Sequence, residues 1–245
     1  MKCRNFAHRG FSGEYPENTL LSFTKALEAG CEGMEFDVHL SRDGEIVIIH
    51  DETINRTGDK RGKVKDMTYE ELCKVDFSYK FKGKYGFMKI PTLREYFELV
   101  KDKDIISNIE LKTGVYEYPG IEAKVLKLIR EFKMEEKVII SSFNHYSVMR
   151  IKKLAPYIKC GFLSDTWILD TGDYIEKRNI EAYHPDFHMI TDELNKDLKA
   201  RGIEINTWTV NKEKDILRMI DLEVDGIIGN YPDRVKKLLE ERNLR

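Results

Sequence analysis

The sequence predicts one (β/α)8 barrel (TIM barrel) of the α/β class, and three observations support this prediction. Strand-like and helix-like segments alternate along the chain, which is typical of a parallel sheet connected by helices. Eight strands can be counted in 245 residues, and about 200–250 residues is an ordinary barrel length. An open doubly wound sheet is the alternative, but no Gly-x-Gly-x-x-Gly turn follows the first strand.

The predicted elements follow from hydrophobic periodicity, because apolar residues alternate along strands and recur every three or four residues along helices. The barrel strands are Cys3–Ala7, Gly33–Leu40, Ile105–Leu111, Lys137–Ser142, Ile158–Leu163, Ile180–Tyr183, Ile203–Thr207 and Val224–Ile228. Helices are predicted between them, for example at Asn18–Ala29, Ile121–Phe132, Tyr146–Leu154, Asp192–Ala200, Lys212–Ile220 and Asp233–Glu241. A further apolar strand, Ile46–Ile49, ends at His50.

Residues 52–91 interrupt this alternation between the second and third barrel strands. The segment is too long for an ordinary βα loop, and Thr68-x-x-Glu71 predicts a helix start of its own. Its tail, residues 77–85, interleaves aromatic residues with lysines, so contact with nucleic acid or a membrane is one interpretation. We favour a packed cap beside the active site that selects substrate without supplying a chemical group. The chain is thus predicted to be one domain, 1–245, containing an inserted cap subdomain at 52–91, called the insertion below.

Composition narrows the class of protein. Hydrophobic residues make up 41% of the chain and charged residues 34%, which suits a globular domain with a substantial core. The net charge of −2 gives no general attraction to nucleic acid. Cys3, Cys31, Cys73 and Cys160 form no Cys-x-x-Cys pair and are predicted to be small buried residues in a reducing compartment. No signal peptide or membrane-length apolar run is recognised, so a cytoplasmic location without stable membrane insertion is expected; the oligomeric state stays open.

Two carboxylates share one face of the second strand. Residues two apart in a strand point to the same side, so Glu35 and Asp37 lie together while Met34, Phe36 and Val38 pack on the other side. Such carboxylates repel each other unless a cation lies between them. The alternative is that they are partly solvated charges at a strand end.

Other polar residues fall at the ends of barrel strands, where the active sites of barrels lie. His8 and Arg9 end the first strand, and Glu110 and Lys112 share one face of the third. Taken alone, His8 is more often a structural histidine, and Lys112 is an ordinary ion-pair partner for Glu110. Their placement at one mouth, together with His50, is harder to explain as solvated surface.

The donor types at this mouth indicate a chemistry. Glu35, Asp37 and Glu110 offer only oxygen, so one hard divalent cation, Mg²⁺ or Ca²⁺, fits better than zinc. Arg9 and Lys112 add positive charge, which favours an anionic substrate such as a phosphate. Two histidines can serve as general acid and base near neutral pH.

A series of short motifs in order makes the chain resemble a known family. They are Ala-His-Arg-Gly at 7–10, Pro-Glu-Asn-Thr at 16–19, Glu-Phe-Asp-Val at 35–38, Ser-Arg-Asp-Gly at 41–44, His-Asp at 50–51, Glu-Leu-Lys at 110–112, Ser-Ser-Phe at 141–143, Trp-Thr-Val-Asn at 208–211 and Val-Asp-Gly-Ile-Ile at 224–228. Over nearly its whole length the chain resembles a glycerophosphodiester phosphodiesterase. No single motif would be specific, but the ordered set is.

The resemblance implies a TIM barrel that cleaves a small-molecule glycerophosphodiester into sn-glycerol 3-phosphate and an alcohol. It assigns Glu35, Asp37 and Glu110 to the metal, His8 and His50 to catalysis, and Arg9 and Lys112 to the phosphate. Trp208 is predicted to wall the glycerol pocket, although a strand-end tryptophan can simply close the barrel top. The alternatives are a phosphodiesterase acting on lysophospholipids, which would need an exposed apolar rim, and a catalytically silent barrel used for binding.

Overall fold

The computed structural model describes residues 3–81 and 83–242; Lys82, in the tail of the insertion, lies outside the described residues. The strands are β1 (Arg4–His8), β2 (Gly33–Leu40), β3 (Ile46–Ile48), β4 (Ile106–Leu111), β5 (Val138–Ser142), β6 (Cys160–Ser164), β7 (Ala182–Pro185), β8 (Glu204–Thr207) and β9 (Gly226–Gly229). The helices are α1 (Leu20–Ala29), α2 (Tyr69–Leu72), α3 (Leu93–Val100), α4 (Ile121–Glu131), α5 (His145–Leu154), α6 (Thr171–Glu176), α7 (Asp192–Ala200), α8 (Glu213–Asp221) and α9 (Pro232–Glu241).

Eight parallel strands close into a barrel, which confirms the predicted fold class. The ring runs β1-β2-β4-β5-β6-β7-β8-β9 and returns to β1. Several strands begin later than predicted, because an apolar residue that precedes the strand packs into the core without pairing. Ile158, Ile180 and Val224 are such residues, and all three are buried.

The strand β3 lies outside the ring and extends one edge of the mouth. It pairs antiparallel with the end of β2, with Val38 opposite Ile48 and Leu40 opposite Ile46. Pairing of β1 with β2 ends at His8 opposite Glu35, so β3 takes the edge of β2 beyond that point. This hairpin carries His50 to the rim of the barrel.

The main core lies between the barrel and the helices. Phe36 of β2 packs against Phe23 of α1 and Tyr96 of α3, with ring centroids 5.7 and 4.2 Å away. Because neighbouring side chains of a strand point to opposite faces, the outward Phe36 leaves Glu35 and Asp37 pointing into the barrel. Apolar packing of the helices therefore determines which side of β2 faces the site.

Side-chain caps fix where several helices begin. Thr68 and Glu71 form the predicted capping box at the start of the short α2, and Thr92 with Glu95 forms another at α3. Helix α1 is capped by Thr19 and not by Asn18, which the predicted helix included. Residues 17 and 18 thus precede the helix, and their side chains remain available for the barrel mouth.

The insertion has a small apolar cluster of its own. Its members come from β3, the residue after it and the insertion: Val47, Ile49, Ile54, Val64, Leu72, Val75, Phe77 and Ile90. The Tyr85 hydroxyl also donates to the Glu14 carbonyl, 2.7 Å away, in the loop after β1. The described residues of the insertion thus pack on the β2–β3 hairpin and contact the barrel. Its role in substrate choice remains a prediction.

Candidate active site

Three buried carboxylates converge inside the mouth of the barrel. Glu35 and Asp37 come from β2 and Glu110 from β4, where Asp37 lies opposite Glu110 in the register. One oxygen from each lies within 4.8 Å of the others. Glu35 Oε2 and Asp37 Oδ1 are buried without a hydrogen-bond partner among the described residues. Buried polar atoms normally have a partner, so this oxygen-only pocket is suited to a hard cation.

The pKa values of these three carboxyl groups are shifted because the groups are buried close to one another and to cationic side chains. Burial and the charges of Asp37 and Glu110 raise the pKa of Glu35 well above its ordinary value. Burial and the nearby Asp37 likewise raise the pKa of Glu110. Although burial opposes ionisation of Asp37, the charges of Arg9, His50 and Lys112 and a hydrogen bond from Asn18 hold its pKa below its usual range. A divalent cation would stabilise all three ionised forms.

His8 lies at the end of β1, buried and oriented by a neutral partner. Its Nδ1 donates to Asn230 Oδ1 at 2.6 Å, which leaves Nε2 as the nitrogen without a proton, 3.8 Å from Glu35 Oε2. Burial and the positive charge of Arg9 lower the pKa of His8 from 6.5 to about 3. The ring is therefore neutral at pH 7, with Nε2 facing the carboxylates.

His50 follows β3 at the rim of the mouth and has a charged partner. Its Nδ1 donates to Asp51 Oδ1 at 2.6 Å, and its Nε2 lies 3.4 Å from Lys112 Nζ. About a third of its side chain is exposed, against 13% for His8. The two histidines thus differ in the partner of Nδ1, which is the amide oxygen of Asn230 for His8 and the carboxylate of Asp51 for His50.

Two cationic side chains complete the set of predicted residues. Arg9 Nε lies 3.5 Å from Asp37 Oδ2 and forms no hydrogen bond with the described residues. Lys112 Nζ lies 2.9 Å from Glu110 Oε1 and 3.9 Å from Asp37 Oδ1. The expected ion pair between Lys112 and Glu110 is therefore present, but the lysine also faces His50. Both cations border the carboxylates, in reach of an anion bound there.

The pocket between these groups has one polar and one apolar wall. It encloses about 160 Å³. The polar residues that line it are His8, Arg9, Glu35, His50, Asn108, Glu110 and Thr209, and the apolar ones are Phe143, Leu163, Trp208 and Ile228. Trp208 contacts Phe143 edge to face at 5.5 Å, and its Nε1 donates to the His184 carbonyl at 2.8 Å. Its ring is thus fixed as part of the wall.

Several residues near the site were not assigned to it by sequence reasoning. Asn18 Nδ2 donates to Asp37 Oδ2 at 3.0 Å, so it contacts the site and does not cap α1. Glu17, Asp51 and Arg56 form a chain of ion pairs beside the two histidine-bearing segments. Asn18 and Glu17 stood in the Pro-Glu-Asn-Thr motif, and Asp51 in His-Asp. Nothing in the sequence pointed to Arg56 or to Asn230.

No helix within 3–81 or 83–242 combines the length and the apolar character needed to cross a bilayer.

Comparison with known proteins gives concordant results. The model of the Glycerophosphoryl diester phosphodiesterase family matches residues 8–234. A glycerophosphodiester phosphodiesterase of Caldanaerobacter subterraneus is 44% identical over 241 residues, 98% of this chain and 99% of that protein. One of Bacillus altitudinis is 44% identical over 239 residues, 96% of this chain and 98% of that protein. The structure of an Oleispira antarctica phosphodiesterase in complex with the product sn-glycerol-3-phosphate superposes with a TM-score of 0.91 at 28% identity, covering 98% of this chain and 97% of that one.

Proposed function

The chain belongs to the Glycerophosphoryl diester phosphodiesterase family, and from that premise we propose that it hydrolyses glycerophosphodiesters to sn-glycerol 3-phosphate and an alcohol. The observation that carries the proposal is the cluster of three buried carboxylates between two histidines at one barrel mouth. The product bound by the Oleispira antarctica phosphodiesterase supports the same substrate class. A silent binding barrel is disfavoured, because every predicted catalytic residue is present and faces the pocket or its edge.

Glu35, Asp37 and Glu110 would hold one divalent cation, Mg²⁺ or Ca²⁺. When bound, the cation polarises the phosphodiester and stabilises the negative charge that develops on it. Arg9 contributes a buried Nε without a hydrogen-bond partner in the described residues, and Lys112 contributes a compact positive charge. These two side chains would bind the phosphate oxygens and orient the phosphorus between the histidines.

The two histidines would divide the proton transfers. His8 Nε2 bears no proton, so it would accept the proton of the nucleophile, either water or the neighbouring glycerol hydroxyl. Attack by the hydroxyl would form a cyclic phosphate and release the alcohol, and water would then open the ring to give sn-glycerol 3-phosphate. His50, whose Nδ1 is held by the Asp51 carboxylate, would deliver a proton from Nε2 to the leaving alcohol. Phe143 and Trp208 would limit the access of bulk water to the apolar side of the pocket.

A metal-depletion assay tests this function. Glycerophosphocholine is incubated with untreated protein, with EDTA-treated protein, and with treated protein to which Mg²⁺ or Ca²⁺ has been returned. We expect sn-glycerol 3-phosphate to form, to disappear with EDTA and to return with one of the cations. Full turnover by exhaustively metal-free protein, or no cleavage of any glycerophosphodiester tested, would contradict the proposal.

A second substrate class, lysophospholipids, is favoured by one specific observation. Sequence reasoning found no clear apolar rim, but apolar side chains after β5 and β6 are exposed at the mouth: Tyr146 by 81%, Trp167 by 65% and Leu169 by 90%. Phe143, which precedes Tyr146, lines the pocket itself. An acyl chain leaving the pocket on this side would meet an apolar surface. Trp167→Ser with Leu169→Ser should then lower cleavage of lysophosphatidylcholine while leaving that of glycerophosphocholine unchanged; equal effects on both would exclude this class.

A further inference from the structure

Arg56, in the insertion, binds two carboxylates at once. Its Nε donates to Asp51 Oδ2 at 2.7 Å and one terminal nitrogen donates to Asp51 Oδ1 at 3.0 Å. Its two terminal nitrogens also donate to the two oxygens of Glu17, at 2.6 and 2.8 Å. A planar guanidinium can hold two carboxylates in this way, whereas an ammonium group acts as a point charge.

Each of these carboxylates holds a group of the proposed active site. Asp51 accepts the Nδ1–H of His50 at 2.6 Å. Glu17 accepts a hydrogen bond from an Arg9 terminal nitrogen at 3.0 Å. A continuous chain therefore runs from His50 through Asp51, Arg56 and Glu17 to Arg9, and its two ends lie on the lining of the pocket.

Arg56 itself is not among the residues that line the pocket. Its influence must pass through the two carboxylates. Without the guanidinium, Asp51 would keep only His50 among these partners and could turn toward solvent. Glu17 would keep only Arg9, whose guanidinium would be drawn away from Asp37, now 3.5 Å from its Nε. Both changes would shift groups whose placement decides the reaction rate.

We propose that Arg56 is a positioning residue that sets the tautomer and orientation of His50 and the orientation of Arg9 together. When the insertion docks on the barrel, Arg56 links His50, the proposed acid, to Arg9, the proposed phosphate-binding residue. The insertion thereby completes the active site. This inference rests on the proposed function, and it goes beyond the expectation that the insertion supplies no group to the site.

The test compares Arg56→Ala and Arg56→Lys with Arg61→Ala, an exposed arginine of the same insertion. We expect kcat on glycerophosphocholine to fall about 10²-fold in both Arg56 variants, since displacements of about 1 Å cost that much. Lysine should fail to restore kcat because it cannot bridge two carboxylates. Millimolar guanidinium ion should partly restore Arg56→Ala, and Arg61→Ala should equal the wild type. A wild-type kcat in Arg56→Lys would overturn the proposal.

Two further measurements separate positioning from a general structural role. The rise in melting temperature on adding Mg²⁺ or Ca²⁺ should be retained in Arg56→Lys, because Arg56 touches none of the three metal-binding carboxylates. In a double-mutant cycle with Asp51→Asn, Arg56→Ala should lower kcat much less than it does in the wild-type background, since both substitutions interrupt the same series of hydrogen-bonded side chains. Loss of the metal response in Arg56→Lys, or independent effects in the cycle, would show that Arg56 only stabilises the fold.

The wild-type protein also distinguishes failure of this inference from failure of the proposed function. The ring ¹⁵N shifts of His50 report which nitrogen carries the proton, without any substrate. We expect a protonated Nδ1 in the wild type and a mixture of tautomers in Arg56→Ala. If the wild type cleaves no glycerophosphodiester but the His50 shifts still differ between the wild type and Arg56→Ala, the proposed function is refuted and the positioning role stands. If the shifts are the same in both proteins, the positioning role is refuted.

Discussion

Charged residues lie at both ends of the barrel, but the two ends differ in whether those residues have hydrogen-bond partners. At the amino-terminal end of the strands, Arg4 donates to Glu204 at 3.3 Å, Lys159 also donates to Glu204, and Asp225 accepts the Ile205 N–H at 2.9 Å. At the carboxyl-terminal mouth, buried oxygens of Glu35 and Asp37 have no hydrogen-bond partner within the described residues.

Cavity volume does not distinguish the mouth that holds the candidate active site from the other end of the barrel. The cleft at the amino-terminal end encloses about 580 Å³, against about 160 Å³ at the mouth. Arg4 and Glu204 in the larger cleft form an ion pair, and none of its lining residues is among those with an unpartnered buried polar atom in the described chain. Buried carboxylate oxygens without partners, and not cavity volume or the number of charges, therefore distinguish the candidate active site.

Glu35→Gln should have the largest effect. Removing one ligand should abolish metal-dependent turnover. It should also raise the melting temperature of the metal-free protein at pH 7–8, because burial and two neighbouring carboxylates raise the pKa of Glu35 and make its ionised form unfavourable in the fold. Calorimetry with and without Mg²⁺ or Ca²⁺ measures both effects.

Glu204→Gln is the matched control at the opposite end. It removes a carboxylate with satisfied, partly exposed partners, so it should lower the free energy of unfolding by less than about 1 kcal/mol and leave kcat unchanged. If Glu204→Gln abolished turnover, or if Glu35→Gln destabilised the metal-free protein, the contrast between the two ends would be wrong.

The histidine variants should have the next largest effect. His8→Ala and His50→Ala should each lower kcat by about 10²–10⁴-fold, the usual contribution of a general acid or base. His145, whose nitrogens bond Tyr174 and the Leu163 carbonyl, provides a control outside the proton transfers. Steady-state kinetics on folded variants decides the matter; near-normal turnover in either variant would remove that histidine from the pair.

Arg9→Lys should impair the enzyme although it preserves the charge. Hydrogen bonds to charged groups contribute about 1.5–3 kcal/mol, so losing one donor of the guanidinium should lower kcat/KM by about 10- to 100-fold. Arg4→Lys, at the first residue of β1 and the opposite end of the barrel, is the control and should retain wild-type kcat/KM. Equal values for the wild type and Arg9→Lys would make Arg9 a structural residue.

The last effect depends on pH, is absent near neutrality and concerns His184, which is buried inside the barrel between the two ends. Burial and the charge of Lys159 lower its pKa from 6.5 to about 3. Because the folded state resists protonation of this ring, it should lose stability as the pH falls from about 6.5 toward 3, by up to about 1.4 kcal/mol per pH unit. The free energy of unfolding, measured by chemical denaturation across that range, should depend less steeply on pH in His184→Gln than in the wild type. An unchanged pH dependence would mean that other titrating groups dominate.

Local patterns were sufficient for the outline of the fold and for most of the chemistry. The alternation of Glu35 and Asp37 with Phe36 fixed their face, and the same rule placed Glu110 with Lys112. Strand starts were less accurate, because Ile158, Ile180 and Val224 look like strand residues but pack without pairing. The hydrophobic pattern is the same whether an apolar residue pairs within the strand or packs into the core just before it.

The sequence by itself determined the barrel, the carboxylates and histidines at its mouth, and the oxygen-only character of the proposed metal site. Only the tertiary structure decided which hydrogen-bond partners orient each of these side chains. His8 meets Asn230 across 222 positions of the chain, and Glu17 meets Arg56 across 39. Such contacts arise when the barrel closes and the insertion docks, and no local periodicity specifies them. The residues proposed to donate and accept protons could therefore be predicted from the sequence, whereas the residues that hold them in place could not.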